Sequence, residues 1–117
     1  MSKNVLKDKS YAFSILIVKL SQLLVADKKE YILSKQLLRS GTAVGALIRE
    51  AEFAQSKKDF INKMSISLKE ANETLYWIDL LKDTNYIDEE KYNFLYPTCK
   101  ELIAMLVSSI KTTKSRL

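Results

Sequence analysis

Few residues in this 117-residue chain could do chemistry, and each has a plainer use. Glu70 and Glu73 stand three apart, one helical turn, with Glu50 upstream, and paired carboxylates of this kind hold metal in di-iron bundles. Such centres also need Glu-x-x-His motifs on two helices, and the chain has no histidine. These glutamates fall off the core face, so ion pairs with neighbours such as Arg49, Lys63 or Lys69 are expected. Cys99 is the single cysteine, which excludes an internal disulfide and a thiolate metal cluster. Its place on an apolar stripe predicts a small buried hydrophobe, not a nucleophile. The absence of histidine also removes Ser-His-Asp and Cys-His triads and the commonest zinc ligand. No catalytic residue, metal or cofactor is expected, which leaves binding and assembly.

The cations carry more information. Lys and Arg number 19 against 14 Asp and Glu, a net charge of +5. Residues 1–40 hold eight basic and three acidic groups, residues 41–110 eight and eleven, and residues 111–117 three and none. This segregation points to an anionic partner, nucleic acid or a phospholipid surface. The apolar stretch Tyr11 to Leu20 is about half a membrane span and is interrupted by Ser14 and Lys19. With no targeting segment apparent, a cytoplasmic protein without a membrane partner is expected.

The elements that must position these groups are helices. Hydrophobic residues make up 47% and charged residues 28%, with only two Gly and one Pro, which favours long helices over a strand-and-turn fold. In a first segment, about Asn4 to Asp27, Leu6, Phe13, Leu16, Ile17, Leu20, Leu23 and Leu24 recur at steps of three and four. A second runs from about Leu33 to Gln55 on Leu33, Leu37, Val44, Leu47, Ile48 and Ala51, with Asp27 to Glu30 expected as its polar start and first turn. A third opens at Ser56, an N-cap for the Asp59 N–H, with Asp59 reaching back as in a capping box. It continues through Phe60, Met64, Leu68, Ala71, Leu75 and Ile78 to a break at Asn85. Asp88, Glu89 and Glu90 place negative charge at a fourth start, followed by Tyr92, Leu95, Cys99, Leu102, Ile103, Leu106 and Ile110. Pro97 inside that segment predicts a kink near Phe94 or a helix that begins late. Gly41 and Gly45, four apart, predict close approach of another backbone. The fold class is all-α, an antiparallel up-down-up-down four-helix bundle, in a single domain over residues 1–117.

Two consequences follow from that topology. The start of the first helix, the junction of the second and third, and the end of the fourth gather at one pole, bringing together Lys3, Lys7, Lys9, Lys57, Lys58, Lys111, Lys114 and Arg116. Asp79, Asp83, Asp88, Glu89 and Glu90 lie towards the other pole. The N-terminus of the third helix adds backbone donors suited to phosphate. Few aromatic residues are expected among these lysines, which disfavours base stacking. Secondly, Tyr11, Ile15, Val18 and Val25 form a stripe opposite the first helix's core face, and Ile66, Tyr76, Trp77 and Leu80 fall away from the core of the third. A helix apolar on two sides packs on two sides, so a subunit interface is expected.

The run Gln36-Leu37-Leu38-Arg39-Ser40-Gly41-Thr42-Ala43-Val44-Gly45-Ala46, then Glu50-Ala51, then Ser56 through Ala71 and Glu73-Thr74, resembles the four-helix bundle proteins encoded in intervening sequences of bacterial 23S ribosomal RNA genes. Glu101-Leu102-Ile103 and Ile110 to Lys114 extend the resemblance over nearly the whole chain. Leu47-Ile48-Arg49 stands where family members commonly carry Asn-Ile-x, and Pro97 is atypical. The resemblance implies a ring-like homo-oligomer, a pentamer, with a role near ribosomal RNA. A related branch serves as the accessory subunit of diversity-generating retroelements, which implies a reverse transcriptase and RNA or DNA as possible partners. It implies no catalytic or ligand residues.

Overall fold

Three of the four helices start where a short polar side chain takes a free backbone N–H. In the computed structural model, which describes residues 4–117, Asn4 accepts from the Lys7 N–H (3.0 Å) and opens α1 (Val5–Lys28). Ser56 accepts from the Asp59 N–H (3.0 Å) and opens α3 (Lys57–Asp83). Asp88 accepts from the Lys91 N–H (2.8 Å) and opens α4 (Glu89–Lys114). The reciprocal arm at α3 is displaced by one residue, the Asp59 carboxylate taking the Gln55 N–H at 3.1 Å.

α2 (Leu33–Ala51) is capped by a residue outside the usual set. Ile32 at its N-cap position has no side-chain acceptor, and the Glu30 carboxylate accepts from the Ser34 N–H (2.7 Å) and the Ile32 N–H (3.2 Å) instead. Partial desolvation works against the charged form, yet the Ser34, Leu33 and Ile32 amides together hold the Glu30 carboxyl below the usual carboxylate range. The helix ends at Ala51, short of the expected Gln55. The N–H groups of Glu52, Phe53 and Ala54 each bond three residues back, tightening the last turn, and Phe53 and Gln55 find no core to cover.

The helices form a bundle of 47 × 24 × 22 Å in which chain neighbours pack closely and α1 meets α4 only sparsely. Its core includes Phe13, Ile17, Leu24, Leu37, Val44, Ile78, Leu81, Leu102 and Leu106. Cys99 is buried with its Sγ 3.4 Å from the Ala71 carbonyl, and burial pushes the thiol up to about 12. Leu23, expected in the core, is instead exposed on the side α4 leaves open. The glycines serve packing: a Cβ at Gly41 would lie 2.8 Å from Ile17 Cγ2, and one at Gly45 would lie 3.2 Å from the Ser10 carbonyl oxygen. α1 therefore lies against the backbone of α2.

α4 begins at Glu89, not late, and continues unbroken through Pro97. The amide donor that Pro97 lacks would have met the Asn93 carbonyl, and both residues lie on the exposed side of the helix. α1 is also more apolar than the Tyr11 to Leu20 stretch implies. By length and composition its 24 residues could cross a membrane, while one face of it, through Phe13, Ile17, Leu20 and Leu24, builds the bundle core.

Candidate nucleic-acid interface

Antiparallel packing brings three chain segments together at one end. Lys57 Nζ donates to the Arg116 carbonyl (2.8 Å), tying the α2–α3 junction to the end of α4. Lys7 Nζ lies 3.0 Å from Glu52, tying the start of α1 to the same junction. Seven of the eight basic residues expected at this pole are on these segments; Lys3 lies outside the described residues.

Their charges are not equally available. Lys7 is paired with Glu52, and Lys9 reaches across the α1–α4 seam to Glu101 at 3.0 Å. Lys58, Lys111, Lys114 and Arg116 are exposed and form no ion pair with a described residue. The N-terminus of α3 is less open to phosphate than expected, because Ser56 occupies the Asp59 N–H and the Asp59 carboxylate stands in that first turn.

The opposite pole is mixed in sign. Lys82 pairs with Glu89 at 3.2 Å and lies 4.8 Å from the centroid of the Tyr92 ring. The Tyr92 hydroxyl donates to Asp79 (2.8 Å), which with the surrounding acidic charge raises its pKa to about 12. Lys28, Lys29, Lys35 and Lys91 at that end are also exposed without an ion pair to a described residue, so the two ends differ in the carboxylates that stand among their cations.

On the flank between α3 and α2, Arg39 bridges Glu70 (3.1 Å) and Glu73, and Trp77 Nε1 donates to Glu73 at 3.0 Å. Lys63 pairs with Glu50 at 3.2 Å, as expected, whereas Arg39 takes the place foreseen for Arg49 or Lys69. No group of three or more His, Cys, Asp or Glu among the described residues could hold a metal ion.

Of the expected interface residues, Tyr11, Ile15, Val18 and Val25 are all exposed along the outer side of α1, and Ile66 and Tyr76 are exposed on α3. Trp77 packs partly against the core and Leu80 is half-buried, so the α3 stripe presents less apolar surface than the α1 stripe. Two grooves were not foreseen. One opens between α1 and α4 over Leu6, Ile48, Met64 and Met105, where those helices barely meet. The other lies between α1 and α2 and sets the aromatic rings of Tyr11 and Phe53 beside Lys7 and Arg49. Phe53 was hidden by its neighbours in sequence; only the early end of α2 turns it outward.

The sequence signature described as "23S rRNA-intervening sequence protein" matches residues 2–108. The chain belongs to that family. A solved structure of similar fold is a protein of unknown function from the S23 ribosomal protein family of Bacteroides thetaiotaomicron, 54% identical, covering 92% of this chain and 99% of that one, with a TM-score of 0.91. No curated protein matches. The 23S rRNA-intervening sequence family membership agrees with the four-helix bundle and with the resemblance carried by the Gln36 to Ala46 run.

Proposed function

We propose that this protein is a non-enzymatic, cytoplasmic homo-oligomer, a pentamer, that binds structured RNA or DNA through its basic pole. The observation that carries the reading is the cluster of exposed cations on segments that only the fold brings together: Lys58, Lys111, Lys114 and Arg116, beside Lys57. Cations free of carboxylate partners can meet phosphates without first breaking an ion pair, and phosphate contacts supply affinity with little sequence preference. Oligomerisation would multiply the patch and turn weak contacts into avidity.

Replacing Lys57 and Lys58 by Glu tests the placement. The double variant is expected to lose RNA binding at moderate salt while keeping its helical circular dichroism. Unchanged RNA affinity would remove the site from this pole.

A second reading, a protein-interaction scaffold such as a reverse-transcriptase accessory subunit, is favoured by the exposed stripe Tyr11, Ile15, Val18 and Val25. An apolar docking surface responds little to ionic strength, whereas phosphate binding weakens steeply, so salt separates the two.

A further inference from the structure

The groove between α1 and α2 combines features that neither a packing defect nor a simple cationic patch requires. It measures about 470 Å³ and carries Tyr11 and Phe53 together with Lys7 and Arg49, with Thr42 and Ala46 from α2 between them. Phe53 is 79% exposed, on the turn after α2, where no described residue covers it. The Arg49 guanidinium lies 5.4 Å from the centroid of the Tyr11 ring, holding a cation against an aromatic face. The hydroxyls of Thr42 and Ser14 donate to the Leu38 carbonyl (2.7 Å) and the Ser10 carbonyl (3.1 Å), which leaves these two hydroxyl oxygens as acceptors. Two carboxylates stand close: Glu50 lines the groove and pairs with Lys63, and Glu52 pairs with Lys7.

Flat apolar walls, acceptor oxygens and bordering cations match a ligand that is planar, carries N–H donors and is joined to an anion. We propose that this groove receives one unpaired nucleobase of an RNA or DNA strand, stacked against Phe53 and Tyr11, with adjoining phosphates on Lys7 and Arg49. The inference rests on the nucleic-acid reading above and narrows it: the duplex backbone is met by the basic pole, and an unstacked base is captured on its flank. Stacking of this kind tolerates any base, because every base has a π-face. Lys7 would exchange Glu52 for phosphate, a small cost for a partly exposed pair.

The experiment compares wild type, Phe53→Ala and Phe53→Trp on a short adenine-rich single strand and on a duplex of equal length, across a salt series and with native mass recorded. Phe53→Ala is expected to weaken single-strand binding about tenfold, leaving duplex affinity and native mass unchanged, and Phe53→Trp is expected to retain it. The exposure of Phe53 makes all three proteins expected to fold, which circular dichroism checks. If wild type binds both probes and Phe53→Ala binds the single strand equally well, the base site is overturned and the basic pole stands. A changed native mass in Phe53→Ala overturns it by giving the groove to a contact between copies. Wild type that binds neither probe at low salt overturns the nucleic-acid reading itself, and the base site with it.

Discussion

Glu30 shows how much a single side chain can organise. Its carboxylate does for α2 what Asn4, Ser56 and Asp88 do for the other helices, from a position two residues before the N-cap. Because the amides lower its folded pKa below the unfolded value, its contribution is complete above the ordinary carboxylate pKa and disappears as pH falls through the lowered one. Glu30→Gln is therefore expected to cost about 0.5–1 kcal/mol at neutral pH, and its deficit against wild type should shrink as pH falls from the ordinary carboxylate pKa through the lowered one. Urea unfolding across that range measures it. Gly41 is the complementary case, valued for the atom it lacks. Gly41→Ala gains about 1 kcal/mol of helix propensity but drives a methyl into the fully buried Ile17, and a net loss of about 1–2 kcal/mol is expected by thermal unfolding. The close approach at Gly41 was legible from the Gly-x-x-x-Gly spacing. The Glu30 cap was not, because a glutamate before Tyr31 and Ile32 carries no capping signature in sequence.

At the scale of elements, four periodic segments, the Ser56 N-cap and the acidic start at Asp88 could be read directly, since apolar spacing and short polar side chains act locally. What could not be read was where α2 stops. Ala51 closes its core stripe, but whether Phe53 belongs to the helix or turns outward depends on the space left by α1 and α3. Buried hydroxyls were equally invisible: Ser67 donates to the Val44 carbonyl (2.9 Å) and Thr74 to Ser40 (2.9 Å), bonds between α2 and α3 that only tertiary contact creates. α1 has the clearest surplus, with one face in the core and Tyr11, Ile15, Val18 and Val25 outside. If Ile15, Val18 and Val25 of this outer side are covered by another copy, with Tyr11 left to the groove, Ile15→Glu with Val18→Glu should yield a folded monomer. Native mass spectrometry reads the result, and an unchanged mass would return the stripe to ordinary surface.

For the molecule as a whole, phosphate binding depends on which charges are free. Sequence segregation and up-down-up-down topology placed the basic segments at one end, and that placement needed only the helix order. The pairing of Lys7 with Glu52 and Lys9 with Glu101, the carboxylate of Asp59 in the first turn of α3, and the aromatic groove beside Lys7 needed the packed structure. At the basic pole about five cations, Lys57, Lys58, Lys111, Lys114 and Arg116, remain to neutralise phosphates, which sets a slope of about −4.5 for the logarithm of duplex affinity against the logarithm of salt per engaged protomer. The most direct test is a salt series of nuclease-treated protein on a structured RNA and a matched duplex DNA. Affinity that falls log-linearly with a slope near that value is the expected result. Absence of binding to either at low salt would contradict a nucleic-acid-binding pole and leave an oligomeric scaffold for protein partners.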